Sequence, residues 1–459
     1  MTNLRCSNKV VQALAYLWVQ GGAYIIDEAP QGAAALYHAI ALRSSYGRAS
    51  AYKLELANYA EPDQSFGAIP IGVECGDELQ LPPVPASAGL FADTAGASTE
   101  HLAGLELFKQ KDYVYRLRTM KRFTDEKLIS ILTKMRQTGG AMLSRDEWKA
   151  LQDTDITRLD KEKQQERLQG TELWYQAAPT WGTVSMAQVI RARQSATLTG
   201  ATLYICPATD YILNRPDNRH LTDEYLAEQI SSVPNMNNTG RLPSIGMYHI
   251  GMEVRLTNTV EGPEAVTDST GIVVGIDLDP EEESSESHNG VRVLQRLPTL
   301  IVKLDAVETK FLPPCPCARH QQEAASEECE LCDLRSGCIA IQAQLSSRAF
   351  LVEVTDPHTQ NIYTLRVKRL QLPVTVRTAS TIHTLQGTTA SPGLIFHWKY
   401  PRFFSEELRW LATYMALSRP PSLEQLISID MPEGLKKIIE GGPPAGILTR
   451  FKDMFDEKE

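Results

Sequence analysis

Four short polar segments, each adjoining an apolar run, constrain this chain more than any other feature. They are residues 24–28, 76–84, 381–387 and 414–419 of a chain of 459 residues. An apolar run that ends in charged or polar residues is typical of strands in a parallel α/β sheet, where the carboxyl ends of the strands share one edge and form the ligand site. The segments therefore predict an α/β fold in which residues far apart in sequence meet at one site.

Composition excludes only a few classes of protein. The chain is 42% hydrophobic and 22% charged, which is ordinary for a globular protein with two to four domains. No apolar run approaches the ~18 residues that a membrane-spanning helix requires, so no membrane association is expected. The formal charge of −10 argues against coating of nucleic acid by bulk charge. Contact with a nucleic-acid strand would have to be local.

The first two segments suit phosphate chemistry. Asp27 and Glu28 end an apolar strand, where Asp27 can hold Mg²⁺ through its water shell and Glu28 can orient or deprotonate an attacking water. Gln80 lies in a polar loop before Pro82 and Pro83, and its amide can donate to a γ-phosphate oxygen while accepting from the same water. The alternatives are a strand end capped by solvated acids and a strand end terminated by proline.

Taken together and in this order, residues 66–84, 381–387 and 414–419 resemble superfamily 1 DNA helicases of the RecD and Pif (petite integration frequency) group, with similarity over residues 20–435. The resemblance implies RecA-like motor domains, ATP and Mg²⁺ as cofactors, and 5′-to-3′ unwinding of DNA. It also implies single-stranded or forked DNA as partner, a monomeric state, and roles in DNA repair, recombination and telomere maintenance. Where the family has Ser-Met after the acid pair, this chain has Ala29, Pro30 and Gln31.

The resemblance also implies roles for residues that their local sequence leaves open. It implies that Arg122 and Arg419 reach the γ-phosphate from the second motor domain, Arg419 as an arginine finger. It implies that the loop at 381–387 couples DNA contact to hydrolysis, through Thr381, His383, Gln386 and Gly387. A cationic helix face for Arg122 and a core histidine for His383 are the alternatives.

Four regions are predicted. Residues 1–110 form a partial first RecA-like domain, and residues 111–240 form the first part of the second with a helical connector. Residues 241–370 form an insertion with an SH3-like β-barrel and a cysteine-rich segment at 315–338, and residues 371–459 complete the second domain. Strands of the barrel are expected at 249–258, 271–276 and 300–304.

The cysteine-rich segment is a candidate zinc site. Five of the eight cysteines lie between residues 315 and 338. Closely spaced thiolates in a reducing compartment favour Zn²⁺ over disulfides, and a structural site takes four ligands. We favour Cys315, Cys317, Cys329 and Cys332, with His320 or Cys338 as substitutes. Free thiols in a loop are the alternative.

The phosphate-binding loop of such enzymes, Gly-x₄-Gly-Lys-Ser/Thr, is not found, since the sequence contains no Gly-Lys pair. Residues 1–26 are also fewer than the ~30 of a βαβ unit. We therefore expect an N-terminally incomplete helicase, from a truncated gene model or a genuine remnant, with little or no ATP hydrolysis of its own. The alternative is an inactive remnant that binds single-stranded nucleic acid or a protein partner.

The N-terminus leaves the localisation open. Residues 1–26 contain no acidic side chain, which suits a mitochondrial presequence. Gln12 and Gln20 interrupt the apolar run, and its apolar residues fit one face of a short amphipathic helix, so a secretory signal is not favoured. A nucleus or mitochondrion is favoured, and the cytoplasm stays open.

Overall fold

The computed structural model describes residues 22–52, 62–83, 86–117, 119–233, 236, 238–260, 265–283, 287–305 and 338–455. The helices of this part are α1 (Ala34–Tyr52), α2 (Thr99–Lys109), α3 (Glu126–Met135), α4 (Arg145–Gln152), α5 (Lys161–Leu168), α6 (Trp181–Thr199), α7 (Asp223–Ser231), α8 (Glu406–Leu417), α9 (Leu435–Glu440) and α10 (Ala445–Phe455). Across these ranges, no helix combines the length and apolarity that a membrane crossing requires.

The strands of the same part are β1 (Ala23–Ile26), β2 (Ile71–Glu74), β3 (Tyr175–Ala178), β4 (Leu203–Pro207), β5 (Thr209–Ile212), β6 (Ile245–Tyr248), β7 (Glu253–Leu256), β8 (Thr270–Asp277), β9 (Val291–Val293), β10 (Thr299–Leu304), β11 (Cys338–Ile341), β12 (Gln344–Leu345), β13 (Phe350–Thr355), β14 (Ile362–Gln371), β15 (Val374–Val376), β16 (Ala379–Thr381), β17 (Leu394–His397) and β18 (Leu426–Ile429).

The first α/β unit is built on a parallel pair of strands. Residues 23–26 of β1 lie in register beside residues 71–74 of β2. Helices α1 and α2 cross closely here, since a Cβ on Gly104 would lie 1.8 Å from the carbonyl oxygen of Ala34. Tyr24 of β1 stacks on Phe66, with 4.4 Å between ring centroids. Because the strands are parallel, the acid pair after β1 and the loop after β2 lie at the same edge.

A second parallel sheet has the order β16-β3-β17-β18. Its strands come from residues 175–178 and 379–429, so the chain leaves this sheet after β3 and returns to it at β16. Helix α8 is buried from Trp410 to Leu417, because its sequence is apolar on nearly every face. The predicted α/β architecture with parallel sheets is confirmed.

Between β3 and β16, most of the described strand pairings are antiparallel. One has the order β11-β10-β8-β7-β15, and β14 pairs with β5, β12 and β13 in another. The strands expected at 249–258, 271–276 and 300–304 are found as β7, β8 and β10, and they are neighbours in the first of these sheets. The described pairings follow an open path from β11 to β15, so the SH3-like barrel stays a prediction.

Strands that precede the predicted boundary at residue 240 also pair within this antiparallel region. Strand β4 pairs with β6 and β9, and β5 pairs with β14. The hydrogen-bonded ladders thus join residues 203–212 to residues 245–248, 291–293 and 362–371. Residues 203–212 therefore belong to the same sheets as strands that lie after residue 240.

Local sequence signals set the ends of the helices around α3. Asp125 caps α3 by accepting from the backbone N–H groups of Lys127 and Leu128. A capping box begins α4, where the Ser144 hydroxyl accepts from the Glu147 N–H and the Glu147 carboxylate accepts from the Ser144 N–H. Helix α3 buries one apolar face, so Arg136 follows it at a fixed position as the C-cap residue.

A buried ion pair joins β5 to β14. Arg369 and Asp210 are directly opposite in the ladder, and the guanidinium donates twice to the carboxylate, at 2.8 Å from Nε and from Nη2. The side chain of Arg369 is 1% exposed. Such a pair matters for stability mainly because loss of one partner would leave a buried charge without compensation.

We expect Asp210→Ala to destabilise the protein by about 3–5 kcal/mol, because it leaves the buried guanidinium of Arg369 unpaired. The exposed pair of Glu106 and Lys109 offers the control, since Glu106→Ala should cost less than about 1 kcal/mol. Urea unfolding followed by circular dichroism measures both, and amide exchange over residues 350–371 locates the loss. Equal effects of the two variants would contradict the assignment.

Candidate functional site

The acid pair lies where β1 ends, beside the loop that follows β2. The backbone N–H of Cys75 donates to the Ile26 carbonyl at 2.9 Å, and the N–H of Ala29 donates to the Cys75 carbonyl at 2.8 Å. These bonds continue the parallel ladder past the strand ends. Gly76 has a φ of 154°, and a Cβ there would lie 2.3 Å from Cδ of Pro30, so this close approach requires glycine.

Gln31 bridges the two predicted site residues Glu28 and Gln80. Its Nε2 atom donates to Glu28 Oε2 at 2.5 Å and to Gln80 Oε1 at 2.8 Å. Glu28 has a left-handed backbone with φ of 53°, and the short 3₁₀ helix Ala29–Gln31 turns Gln31 back toward it. With its carbonyl oxygen engaged, Gln80 is oriented so that its NH₂ group is the end free to donate to an anionic ligand.

The carboxylate of Glu28 is partly withdrawn from water. Burial raises the pKa of Glu28, the charge of the neighbouring Asp27 raises it further, and Arg419 opposes both effects. Asp27 is exposed, and one of its oxygens accepts from the Glu28 N–H at 2.9 Å. An exposed carboxylate beside one of raised pKa suits a division into a metal-binding acid and a proton acceptor.

Arg122 and Arg419 converge on Ser418, at the end of α8. Arg122 Nη1 lies 3.4 Å from the Ser418 carbonyl oxygen, and Arg419 Nη2 lies 3.0 Å from the Ser418 hydroxyl. Arg419 is 2% exposed, and Nη1 also lies 3.3 Å from the carbonyl oxygens of Leu385 and Thr388. Its Nε atom is buried without a hydrogen-bond partner among the described residues.

The charge of Arg419 is only partly compensated. Burial lowers the pKa of Arg419 to about 10, and the charge of Arg122 lowers it too, while Glu28 and Asp77 act in the opposite direction. Two guanidinium groups beside one another with a buried, unpartnered N–H favour an anionic ligand. The structure therefore brings Arg122 and Arg419 together, near Glu28.

The loop at 381–387 lies between the acid pair and the loop of Gln80. Residues 382–385 form a 3₁₀ helix, and the Thr381 hydroxyl lies 3.0 Å from that of Thr384. Gln386 Nε2 donates to the Leu81 carbonyl at 2.7 Å. Gly387 has a φ of 71°, and a Cβ there would lie 3.7 Å from Glu28 Oε1. Burial lowers the pKa of His383, so its ring is neutral at pH 7.

A polar cleft of about 410 Å³ adjoins this loop. Arg255 of β7 donates from Nη1 to the Thr384 carbonyl at 3.2 Å and lies 3.6 Å from Asp268. Guanidinium, imidazole, amide and hydroxyl groups in one cleft suit a sugar-phosphate backbone, which they contact without reading sequence. The lining includes Arg255, Arg377, His383, Thr384, Gln386 and Thr388.

One cluster was missed by sequence analysis. Arg136 Nη1 donates to both carboxylate oxygens of Asp77, at 2.9 and 2.8 Å, and lies 2.7 Å from the hydroxyl of Tyr414. Tyr414 in turn donates to Asp77 Oδ2 at 2.8 Å, and Arg136 Nη2 lies 3.4 Å from Glu78. The cluster joins the loop of Gln80, the C-cap of α3 and helix α8.

The predicted zinc ligands Cys315, Cys317, Cys329 and Cys332, and the substitute His320, lie outside the described residues. The other substitute, Cys338, begins β11 and is partly buried. No cluster of metal-binding side chains is found within the described ranges. The zinc site accordingly stays a prediction from spacing.

We expect Arg136→Met to loosen two distant segments at once, because it removes the shared partner of Asp77 and Tyr414. Amide hydrogen exchange should accelerate in residues 77–81 and in residues 414–419. Lys127→Met changes an exposed lysine of the same helix and should leave both segments unchanged. Faster exchange confined to residues near 136 would show that the cluster does not hold the two segments together.

No family model and no curated protein matches the chain. Among solved structures, a Bacteroides Pif1 bound to single-stranded DNA is 16% identical with a TM-score of 0.54, over 100% of this chain and 80% of that one. The Candida albicans Pif1 helicase is 16% identical with a TM-score of 0.50, over 97% and 78%.

A further Bacteroides structure contains Pif1 in complex with ADP-AlF₃ and single-stranded DNA. It is 15% identical with a TM-score of 0.51, over 100% of this chain and 80% of that one. At this level of identity the likeness establishes architecture. The resemblance drawn from the motifs is confirmed to that extent: the chain has the fold of the Pif1-type superfamily 1 helicases.

Proposed function

We propose that this chain is a DNA helicase of the Pif type, whose full-length members couple ATP hydrolysis to 5′-to-3′ unwinding of DNA, and that the 459 residues bind single-stranded or forked DNA but hydrolyse little or no ATP by themselves. One observation carries the proposal: residues from four segments far apart in sequence lie close together where β1 ends. Gln31 joins Glu28 to Gln80, and Gln386 bonds to the carbonyl of Leu81 beside Gln80. The charge of Arg419 acts on Glu28.

The convergent groups have complementary roles in phosphoryl transfer. Asp27 would bind Mg²⁺ through water, and Glu28, with its raised pKa, would accept a proton from the attacking water. Gln80 would donate to the γ-phosphate, while Arg122 and Arg419 would stabilise its developing charge. Mg²⁺ held by Asp27 would supply positive charge beside the phosphates.

The alternative function is strand binding without turnover. The sequence lacks the Gly-Lys pair of a phosphate-binding loop, and that lysine and its neighbouring amides are main ligands of the β- and γ-phosphates. The polar cleft with Arg255 and Arg377 needs none of these groups to contact a DNA backbone. The two functions differ in whether the 459 residues turn over ATP.

We expect the 459-residue protein to bind single-stranded DNA but to show no DNA-stimulated ATP hydrolysis, because the phosphates lack those ligands. Phosphate release is measured with and without oligo(dT), and binding by fluorescence anisotropy. Arg377→Gln should weaken binding, since it removes a cation from the cleft. Turnover that DNA stimulates and that Glu28→Gln abolishes would show that other groups hold the phosphates and that the chain is an active enzyme.

We also propose that the cysteines at 315–332 bind one structural Zn²⁺. The proposal rests on their spacing, which is that of paired thiolate ligands. Protein purified without added metal is expected to contain about one equivalent of zinc by mass spectrometry, and Cys329→Ser with Cys332→Ser should remove it. Wild-type protein that is free of zinc, with all its thiols open to titration, would refute the site.

A further inference from the structure

The segment that joins α2 to α3 carries a charge opposite to that of the whole chain. Residues 109–122 contain six Lys and Arg residues and one Asp, a formal charge of +5, in a chain of −10. Such a local reversal is the electrostatic signature of a surface that meets an anion.

Three apolar side chains on this segment face solvent. Tyr113 is 76% exposed, Tyr115 is 84% exposed and Leu117 is 94% exposed. They occupy alternate positions, and Val114 between the two tyrosines packs against the core. The alternation places the rings outward from a segment whose other side is anchored. Exposed aromatic residues interleaved with cations are the composition of single-strand binding surfaces.

The segment is held at both ends and in the middle. Lys111 Nζ lies 2.9 Å from a carboxylate oxygen of Glu74, and Arg122 contacts the Ser418 carbonyl. Between them, the guanidinium of Arg116 lies 4.9 Å from the ring centroid of Phe451 in α10. A platform held in this way loses little conformational freedom when a ligand binds.

We propose that Tyr113, Tyr115 and Leu117 form a stacking platform for the bases of single-stranded DNA, with the cations of residues 109–122 attracting its phosphates. The platform deepens the proposed function, since it adds a strand-binding surface apart from the cleft of Arg255 and Arg377. Its far end is Arg122, so a strand on the platform would run toward the nucleotide site.

Charge argues for a strand rather than a protein as the occupant. The buried centre of a protein–protein interface is depleted of charged residues, whereas here cations flank the two tyrosines on both sides in sequence. The same reasoning disfavours a second copy of this chain, because two copies of a segment with a charge of +5 would repel each other. A nucleic-acid strand supplies both flat apolar rings and negative charge.

The test measures binding of fluorescein-labelled oligo(dT) to the full chain by anisotropy. Tyr113→Ala with Tyr115→Ala should weaken binding about 10-fold or more, because two stacking contacts are lost. Tyr113→Phe with Tyr115→Phe should restore it, since phenylalanine stacks without the hydroxyl. Phe403→Ala removes an aromatic ring that is 81% exposed elsewhere and should change nothing.

Photo-crosslinking gives a second readout that a purely structural role would not move. An oligonucleotide with 5-iododeoxyuridine should crosslink to Tyr113 or Tyr115, and Mg·ATP should not compete. Wild-type affinity in the double alanine variant, or crosslinks only around residues 377–388, would overturn the platform while leaving the proposed function intact. Competition by mononucleotide would overturn it in favour of a base-binding subsite. Failure of the wild-type chain to bind any oligonucleotide would overturn both proposals.

Discussion

The interaction between Asp77 and the pair Arg136 and Tyr414 governs how the candidate site is assembled. Asp77 belongs to the loop after β2, whereas its partners belong to α3 and α8. Burial lowers the pKa of Arg136, but Tyr414, Asp77 and Glu78 together raise it above its usual range. Arg136 therefore stays charged at any physiological pH. The ion pair of Arg136 and Asp77 is partly exposed, so it adds little to the free energy of unfolding. Its main effect is to fix the position of the loop after β2 against α3.

The position of α8, which Asp77 fixes through Tyr414, leaves the positive charge of Arg419 only partly compensated. Helix α8 is fixed through Tyr414, and its end places Arg419 among backbone carbonyls, with one N–H that has no partner in the part of the chain the structure describes. Burying a guanidinium in this way costs free energy that carbonyl oxygens offset only in part. An anion bound beside Arg419 and Arg122 would supply the missing compensation. The site is thus preorganised for negative charge, which is how electrostatic stabilisation of a transition state works.

The sequence predicts the polar residues that follow strands. It does not predict the side chains, such as Gln31 and Arg136, that link one segment to another by hydrogen bonds. A strand that ends in Asp27 and Glu28 is visible in the local sequence, as an apolar run followed by two acids. The role of Gln31 was not visible, because a glutamine two residues after an Ala has no distinctive pattern. The partners Asp77, Arg136 and Tyr414 are separated by 59 to 337 residues. Periodicity identified β7, β8 and β10, whereas β4 and β5, which pair with β6, β9 and β14, were not predicted.

The cleft and the acid pair are linked by a continuous series of contacts. Arg255 of β7 bonds to the Thr384 carbonyl, and Gln386, two residues later, bonds to the Leu81 carbonyl. Gln80 precedes Leu81 and accepts from Gln31, which also bonds to Glu28. A polyanion in the cleft would compete with Thr384 and Asp268 for the guanidinium of Arg255. Thr384 and Gln386 lie on one turn. Loss of the bond from Arg255 to Thr384 would therefore affect Gln386, which bonds to the loop of Gln80. A DNA strand in the cleft would therefore be linked to the acid pair by hydrogen bonds between neighbouring segments. This link requires no change of fold.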